Sequence, residues 1–330
     1  MTNIFKGGST EQKKKITFLA IYATIAVIIC LLAALLITQA VANKNTPDPS
    51  GSGDSGSSAD SFTEEGVTTA QLHSGSLILV SKDNEYIFAD NPEMVSFPSA
   101  GNLYGLKNSS LKIHPTALSA FNEMMKGAYA NITDANIVVM TAYRSADDQT
   151  ALANGTPAGY SDFHTGMTLE LKDGDTWATI NATALEGKYD WLYENAHKYG
   201  FVVRYPDDKK AVTGIETDME EIFRYVGVAH ATYMKANNLC LEEYLELLRT
   251  TYSYENPLNI KGADGKSYQV YYAEENEDST IMVPSKYSYE ISGDNMNGYI
   301  VTVNKAAKSN LKDSATTTAA TTTAAETTTE

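Results

Sequence analysis

His164 and Glu170 lie close together in the stretch Tyr160 to Leu171, YSDFHTGMTLEL, and a second group of acids, Asp218, Glu220 and Glu221, follows later in the chain. Imidazole and carboxylate are the donors that hold zinc for hydrolysis. Such a site takes three protein ligands, leaves a fourth position for water and needs a nearby carboxylate as general base. His164, Glu170 and Asp218 have suitable donor types. Direction works against them, because adjacent residues of an extended chain point to opposite faces and His164 then turns away from wherever Phe163 points.

The elements that position these residues follow from periodicity. After Gly166, Met167, Leu169 and Leu171 alternate with Thr168 and Glu170, which predicts a strand with Thr168 and Glu170 on one face. Ile137 to Met140 reads as a short buried strand running into Thr141-Ala142-Tyr143-Arg144-Ser145. Leu77, Leu79 and Val80 open another strand. His114-Pro115 leads into a helix with Leu118, Phe121 and Met125 on one face. Asp190 to Tyr199 reads as a helix stopped by Gly200, followed by a strand FVVRY that Pro206 ends. A last amphipathic helix, Leu241 to Arg249, shows Leu241, Tyr244, Leu245 and Leu248 as one stripe. From Tyr268 to Val303 short β-like runs alternate with acid, Ser, Gly and Asn turns, predicting a small β appendage over 251–305. Mixed elements without a βαβ repeat make the chain α+β.

The ends differ in composition. Lys13, Lys14 and Lys15 precede an uncharged apolar run, 16–38, long enough to cross a bilayer as one helix. The expected topology is single-pass, with residues 1–15 cytoplasmic and everything after the helix extracytoplasmic. Ala40-Val41-Ala42 offers an A-x-A cleavage pattern as the rival. Residues 39–72 are rich in Pro, Gly, Ser and acid and read as a disordered linker, and 306–330 as a disordered Thr/Ala-rich tail. With 25 Lys+Arg against 41 Asp+Glu, a net charge of -16, the chain shows no basic patch for nucleic acid. Cys30 lies in the apolar run and Cys240 far outside it, so no disulfide is expected, and Cys240 reads as a buried helix residue. His73, His114, His197 and His230 all read as structural.

Four segments, in this order, resemble the VanY-type D-alanyl-D-alanine carboxypeptidases: TAYRSADDQ at 141–149, GYSDFHTGMTLEL at 159–171, WLYENAHKYGFVVRYP at 191–206 and RYVGVAHATYM at 224–234. The resemblance covers Gly75 to Arg249. It implies a DD-peptidase (Hedgehog/VanY-like) fold for residues 73–250 and a zinc-dependent activity on the stem peptide of peptidoglycan. The family draws one His and one Asp ligand from S-x-H-x-x-G-x-A-x-D, and its base and last His from E-x-W-H just before R-Y-V-G. Aligned on Ser161 and Gly166, the first ligand position is Phe163 and the Asp position is Glu170. Aligned on Arg224, the last His position is Ile222 and the base position is Met219. The resemblance therefore implies a degenerate member, with two of three ligands and the base replaced.

Arg144, Gln149 and Ser161 match the family's substrate-holding positions. Arg144 can clamp a carboxylate bidentately without a metal, or serve as a structural salt bridge at a strand end. Ser161 has turn capping as its structural alternative. The leading expectation is a membrane-anchored pseudoenzyme that binds peptidoglycan stem peptide or a cell-wall protein and needs no cofactor. One alternative is an active metallocarboxypeptidase whose rearranged zinc site uses His164, Glu170 and an acid from 218–221. Another is a surface scaffold.

Overall fold

The computed structural model describes residues 61–89, 92–98, 101–152, 155–181 and 185–308. The expected spanning helix, the segment before it, the linker to residue 60 and the tail beyond 308 lie outside the described residues. Among those described, no helix is long and apolar enough to cross a membrane.

The fold begins with strand β1 (Phe62–Gly66) and a one-turn helix α1 (Thr69–Leu72). These correct the linker expectation, which ran to residue 72. β1 pairs antiparallel with residues 280–284, and Thr68 closes a capping box with Gln71. The segment's own composition carries little apolar drive. Its order comes from ladder hydrogen bonds supplied more than two hundred residues away.

After the two-residue strands β2 (Val95–Ser96), β3 (Gly105–Leu106) and β4 (Lys112–Ile113) comes the long helix α2 (Pro115–Asn131). Pro115 takes its first turn and His114 caps it, the ring Nδ1 accepting from the Thr116 N–H at 3.3 Å. Its buried face, with Phe121, Met124, Met125 and Ala128, packs on a five-stranded sheet. That sheet is built from β3, β5 (Ile137–Thr141), β6 (Thr168–Asp173), β7 (Phe201–Tyr205) and β8 (Met219–Tyr225) in the order β3-β5-β6-β8-β7. Helices α3 (Ala146–Leu152), α4 (Asp190–Asn195) and α5 (Lys210–Thr213) lie in its connections. All pairs are antiparallel except β3 with β5, which are parallel and joined across α2. The α+β class holds. The single parallel crossover escaped the sequence because a two-residue strand leaves no pattern to read. The helix expected to end at Tyr199 runs through Asn195 and tightens into a 3₁₀ turn, with Gly200 in the left-handed region as its stop.

Beyond β8, helices α6 (Val228–Asn237) and α7 (Leu241–Thr251) lead into β9 (Leu258–Lys261), β10 (Ser267–Ala273), β11 (Thr280–Pro284), β12 (Tyr287–Gly293) and β13 (Tyr299–Lys308). Cys240 caps α7 and is buried, which pushes its thiol up to about 12. A four-stranded antiparallel sheet, β12-β13-β10-β9, follows. The runs expected to be strands are strands, but the boundary at 250 does not separate an appendage. Val270, Tyr272 and Ile300 share one apolar cluster with Leu241, Tyr244 and Leu248 of α7 and with Leu77 and Leu79. The opposite face packs Tyr271, Val301 and Val303 with Ile281 and Val283 of β11. With both faces covered, the sheet is part of the core.

Leu77 to Val80, expected as a strand, is buried but joins no ladder. Side chains satisfy its carbonyls instead. Arg224 Nη2 donates to Ile78 O at 3.0 Å, Arg204 Nη2 to Val80 O at 3.2 Å and Asn295 Nδ2 to Leu79 O at 2.9 Å.

Candidate functional site

One row of the central sheet carries the residues that matter. Thr141 on β5 and Ile222 on β8 are the register partners of Glu170 on β6, from either side. Directly opposed residues share a sheet face, so Thr141, Glu170 and Ile222 point the same way. Thr141 Oγ1 donates to Glu170 Oε2 at 2.6 Å, and Ile222 presents a buried aliphatic side chain on the other flank. Met219, at the start of β8, lies opposite Tyr205.

The YSDFHTGM stretch is not extended. Asp162–Thr165 forms a 3₁₀ turn closed by Gly166 in the left-handed region, where a Cβ would also crowd the Met94 side chain. The surroundings of Phe163 and His164 are set by this turn and not by strand alternation. Phe163 lies under Arg144, whose guanidinium carbon is 4.6 Å from the ring centroid. His164 is buried, and both its nitrogens are spoken for by backbone. Nδ1–H donates to Arg144 O at 2.6 Å, and Nε2 accepts from Gly159 N–H at 3.1 Å. Tyr86 and Phe88 pack around its ring. Burial lowers its pKa, the bond to Arg144 O opposing, so the ring is neutral in the tautomer these two bonds require.

Arg144 is half-buried at the end of β5. Its Nη1 donates to Gln149 Oε1 at 2.7 Å and lies 3.5 Å from Ser161 Oγ. Gln149, buried on α3, also donates from Nε2 to Thr156 O at 2.9 Å, which ties the arginine's support to the loop beyond α3. Ser145 and Asp148 close the start of α3 reciprocally. The Arg144 Nε and Nη2 hydrogens meet no hydrogen-bond acceptor among the described residues, so one edge of the guanidinium is free to bind a carboxylate. Burial lowers the Arg144 pKa, while the charges of Glu170 and Asp148 raise it. Ser161 makes no side-chain cap bond to its turn.

Next to Ser161 and Phe163 in sequence, Asp162 anchors a buried charged cluster that sequence reasoning missed. Asp162 Oδ1 binds Arg224 Nη1 at 2.7 Å and approaches Arg204 Nε at 3.1 Å as an ion pair outside hydrogen-bond alignment. Arg204 also forks onto Glu242 at 2.9 and 3.2 Å, and the Thr168 hydroxyl donates to Asp162 Oδ2. Burial alone would raise the Asp162 pKa. The Arg224 and Arg204 charges and the Thr168 bond overcome it and hold the carboxyl below its usual range. The available signal was Arg204 itself, a cation inside the otherwise apolar strand FVVRY, which demands a buried partner.

The remaining acids do not complete a metal set. Asp218, exposed just before β8, pairs with Lys210 at 3.1 Å, and Glu220 Oε1 accepts from Asp207 N–H at 3.4 Å. Glu221 is buried with Oε2 unpaired. Burial raises its pKa, and the Glu170 charge adds to this. His73 bonds Asn295 and His230 bonds Tyr244 and Thr302, while His197 Nδ1 is buried and unpaired. Zinc asks for three convergent donors, and among the described residues no three His, Cys, Asp or Glu converge. Phe163 and Ile222 have no lone pair to offer, and both nitrogens of His164 are held by backbone, so these residues do not fit zinc.

The sequence profile of VanY, described as D-alanyl-D-alanine carboxypeptidase, matches residues 110–228. A D-alanyl-D-alanine carboxypeptidase of Enterococcus faecium is 33% identical over 250 residues, covering 73% of this chain and 78% of that protein. The chain belongs to the VanY D-alanyl-D-alanine carboxypeptidase family. Its fold is similar to that of the vancomycin-resistance D,D-dipeptidase VanXYg, solved with a D-Ala-D-Ala phosphinate analogue, at TM-score 0.64 and 24% identity over 74% of this chain and all of that one. A VanY D,D-pentapeptidase solved with Zn(II) matches over 52% of this chain and 98% of that one, at 25% identity and TM-score 0.42. In the row Thr141–Glu170–Ile222 of this chain, one carboxylate is flanked by a hydroxyl and an aliphatic side chain.

Proposed function

We propose that this VanY-family chain is a non-catalytic receptor for the carboxylate end of a peptidoglycan stem peptide, held by Arg144. The observation that carries this reading is the state of the guanidinium. It is stacked on Phe163, braced by Gln149 and left with its Nε and Nη2 edge unbonded among the described residues. A planar fork of that kind matches a carboxylate bidentately. Ring and brace fix its rotamer before ligand arrives, which lowers the entropy lost on binding. Ile222 and Phe163 remove the donors that would hold an attacking water, so binding proceeds without hydrolysis. The apolar run at 16–38 supports a membrane tether that places the groove on the wall side of the bilayer.

The test uses the full chain with a pentapeptide ending in D-Ala-D-Ala. Calorimetry is expected to give saturable binding that Arg144→Ala weakens by at least about tenfold, with no D-alanine released and no stoichiometric zinc. Zinc at one per chain, together with turnover lost on Glu170→Ala, would sink the proposal.

A further inference from the structure

Strand β12 breaks the pattern of a sheet with two apolar faces. Tyr289 and Ile291 pack into the cluster on one side. Ser288 and Glu290 point the other way and are polar. Asn304 on β13 is the register partner of both Ser288 on β12 and Tyr268 on β10, so Ser288, Asn304 and Tyr268 form one row on that face. Towards β9 and α7 the same face is core, with Val270 and Ile300 fully buried. The polar end borders a cleft of about 660 Å³, whose lining also includes Tyr225 and the first turn of α6. None of Arg144, Gln149, Phe163, Glu170 or Ile222 lines it.

The lining selects a ligand class. Asp264 is neutralised locally, since it pairs with Lys266 Nζ at 3.1 Å and accepts from Tyr268 OH at 2.7 Å. Ser288 and Glu290 make no side-chain hydrogen bond or ion pair among the described residues. The first-turn amides of α6 have no side-chain cap. Hydroxyl, amide, carboxylate and backbone N–H groups thus stand side by side as donors and acceptors, with the partly exposed rings of Tyr225 and Tyr268 between them. Hydroxyl groups, which both donate and accept, use such a surface fully, and the apolar ring face of a sugar rests on tyrosine. The volume lies in the range of ligand-binding cavities. A fixed cation would engage Glu290 and leave most of these groups unused.

We propose that this cleft binds an oligosaccharide, specifically one built of N-acetylated amino sugars. The choice of sugar rests on the wall-peptide reading above, whereas the saccharide class rests on the cleft alone. A chain with both sites grips the glycan and the peptide of one polymer. Two linked contacts then raise the overall affinity without new interactions.

The probe is the N-acetylglucosamine tetramer, titrated calorimetrically into the full chain. Saturable binding is expected, weakened about tenfold or more by Glu290→Gln and by the cleft-filling Ser288→Trp. Neither side chain makes a hydrogen bond or ion pair among the described residues, so melting temperature should stay unchanged. Arg144→Ala should leave sugar binding intact while weakening peptide binding, which separates failure of one site from failure of the other. No saturable binding, or binding indifferent to both cleft variants, overturns the saccharide site. So does a cleft that takes tetramethylammonium and not the tetramer.

Discussion

The guanidinium of Arg144 rests 4.6 Å from the centre of the Phe163 ring. A ring that stacks the arginine cannot also donate a lone pair. Phe163 therefore offers no metal ligand and stiffens the carboxylate clamp proposed for Arg144. Arg144→Ala is expected to weaken peptide binding by at least about tenfold, since charge-assisted bonds contribute roughly 1.5–3 kcal/mol. Arg144→Lys keeps the charge without the fork and should recover only part of the affinity in the same titration. Equal affinity for lysine and arginine would argue against a bidentate clamp.

The register of β6 and β8 makes a gain of function testable. Glu170 and Ile222 are directly opposed, so the double variant Phe163→His, Ile222→His should set two imidazoles beside one carboxylate. Equilibrium dialysis with metal analysis is expected to find about one zinc per chain in the double variant and none in the parent. A double variant that folds but stays empty would show that the row does not converge as its register implies.

Asp162 holds two buried arginines, so its neutralisation leaves both charges under-compensated. Asp162→Asn is expected to cost about 3–5 kcal/mol in urea unfolding, the range for breaking a buried ion pair. The pH dependence has the same origin. The folded pKa is depressed, so the stabilisation is fully present above the ordinary carboxylate value near ~3.9. It is lost as pH falls through the lower folded value. Acid unfolding of the parent should therefore steepen below about pH 4, and that of Asp162→Asn should not.

His164 is expected to be structural. His164→Ala strips a partner from Gly159 N–H and from Arg144 O, at about 1–3 kcal/mol each where the groups stay dry. Thermal unfolding measures the loss. Zinc added to the parent should not shift the melting temperature through this residue. A zinc-dependent rise abolished by His164→Ala would reverse the assignment.

His230, wholly buried between Tyr244 and Thr302, has its pKa lowered to about 3 by burial. Its folded value lies below the unfolded one, so its contribution to stability is complete above about pH 6.5 and declines as pH falls towards the folded value. In an NMR titration its ring resonances are expected to stay at their neutral positions down to pH 4. A midpoint near 6 would show that the ring is not dry.

Periodicity alone placed β5, β7, α2, α7 and the strands β10 to β13, because each carries its own apolar face. Counting from the motif serine, the glycine stop and the arginine of R-Y-V-G singled out Glu170 and Ile222, which the fold sets directly opposite each other. Where a residue's role depends on a distant partner, the sequence was silent. β1 is ordered by β11, and Leu77–Val80 by the side chains of Arg204, Arg224 and Asn295. His164 had an acceptable donor type. Only the fold brought Gly159 N–H and Arg144 O to its two nitrogens and so took it out of metal chemistry. Likewise, alternation gives β12 a polar face, but only the packing of β10, β13 and α6 around it turns that face into a cleft. Local pattern is written in adjacent side chains. A site is a convergence of residues far apart in the chain, and that convergence exists only once the core has closed.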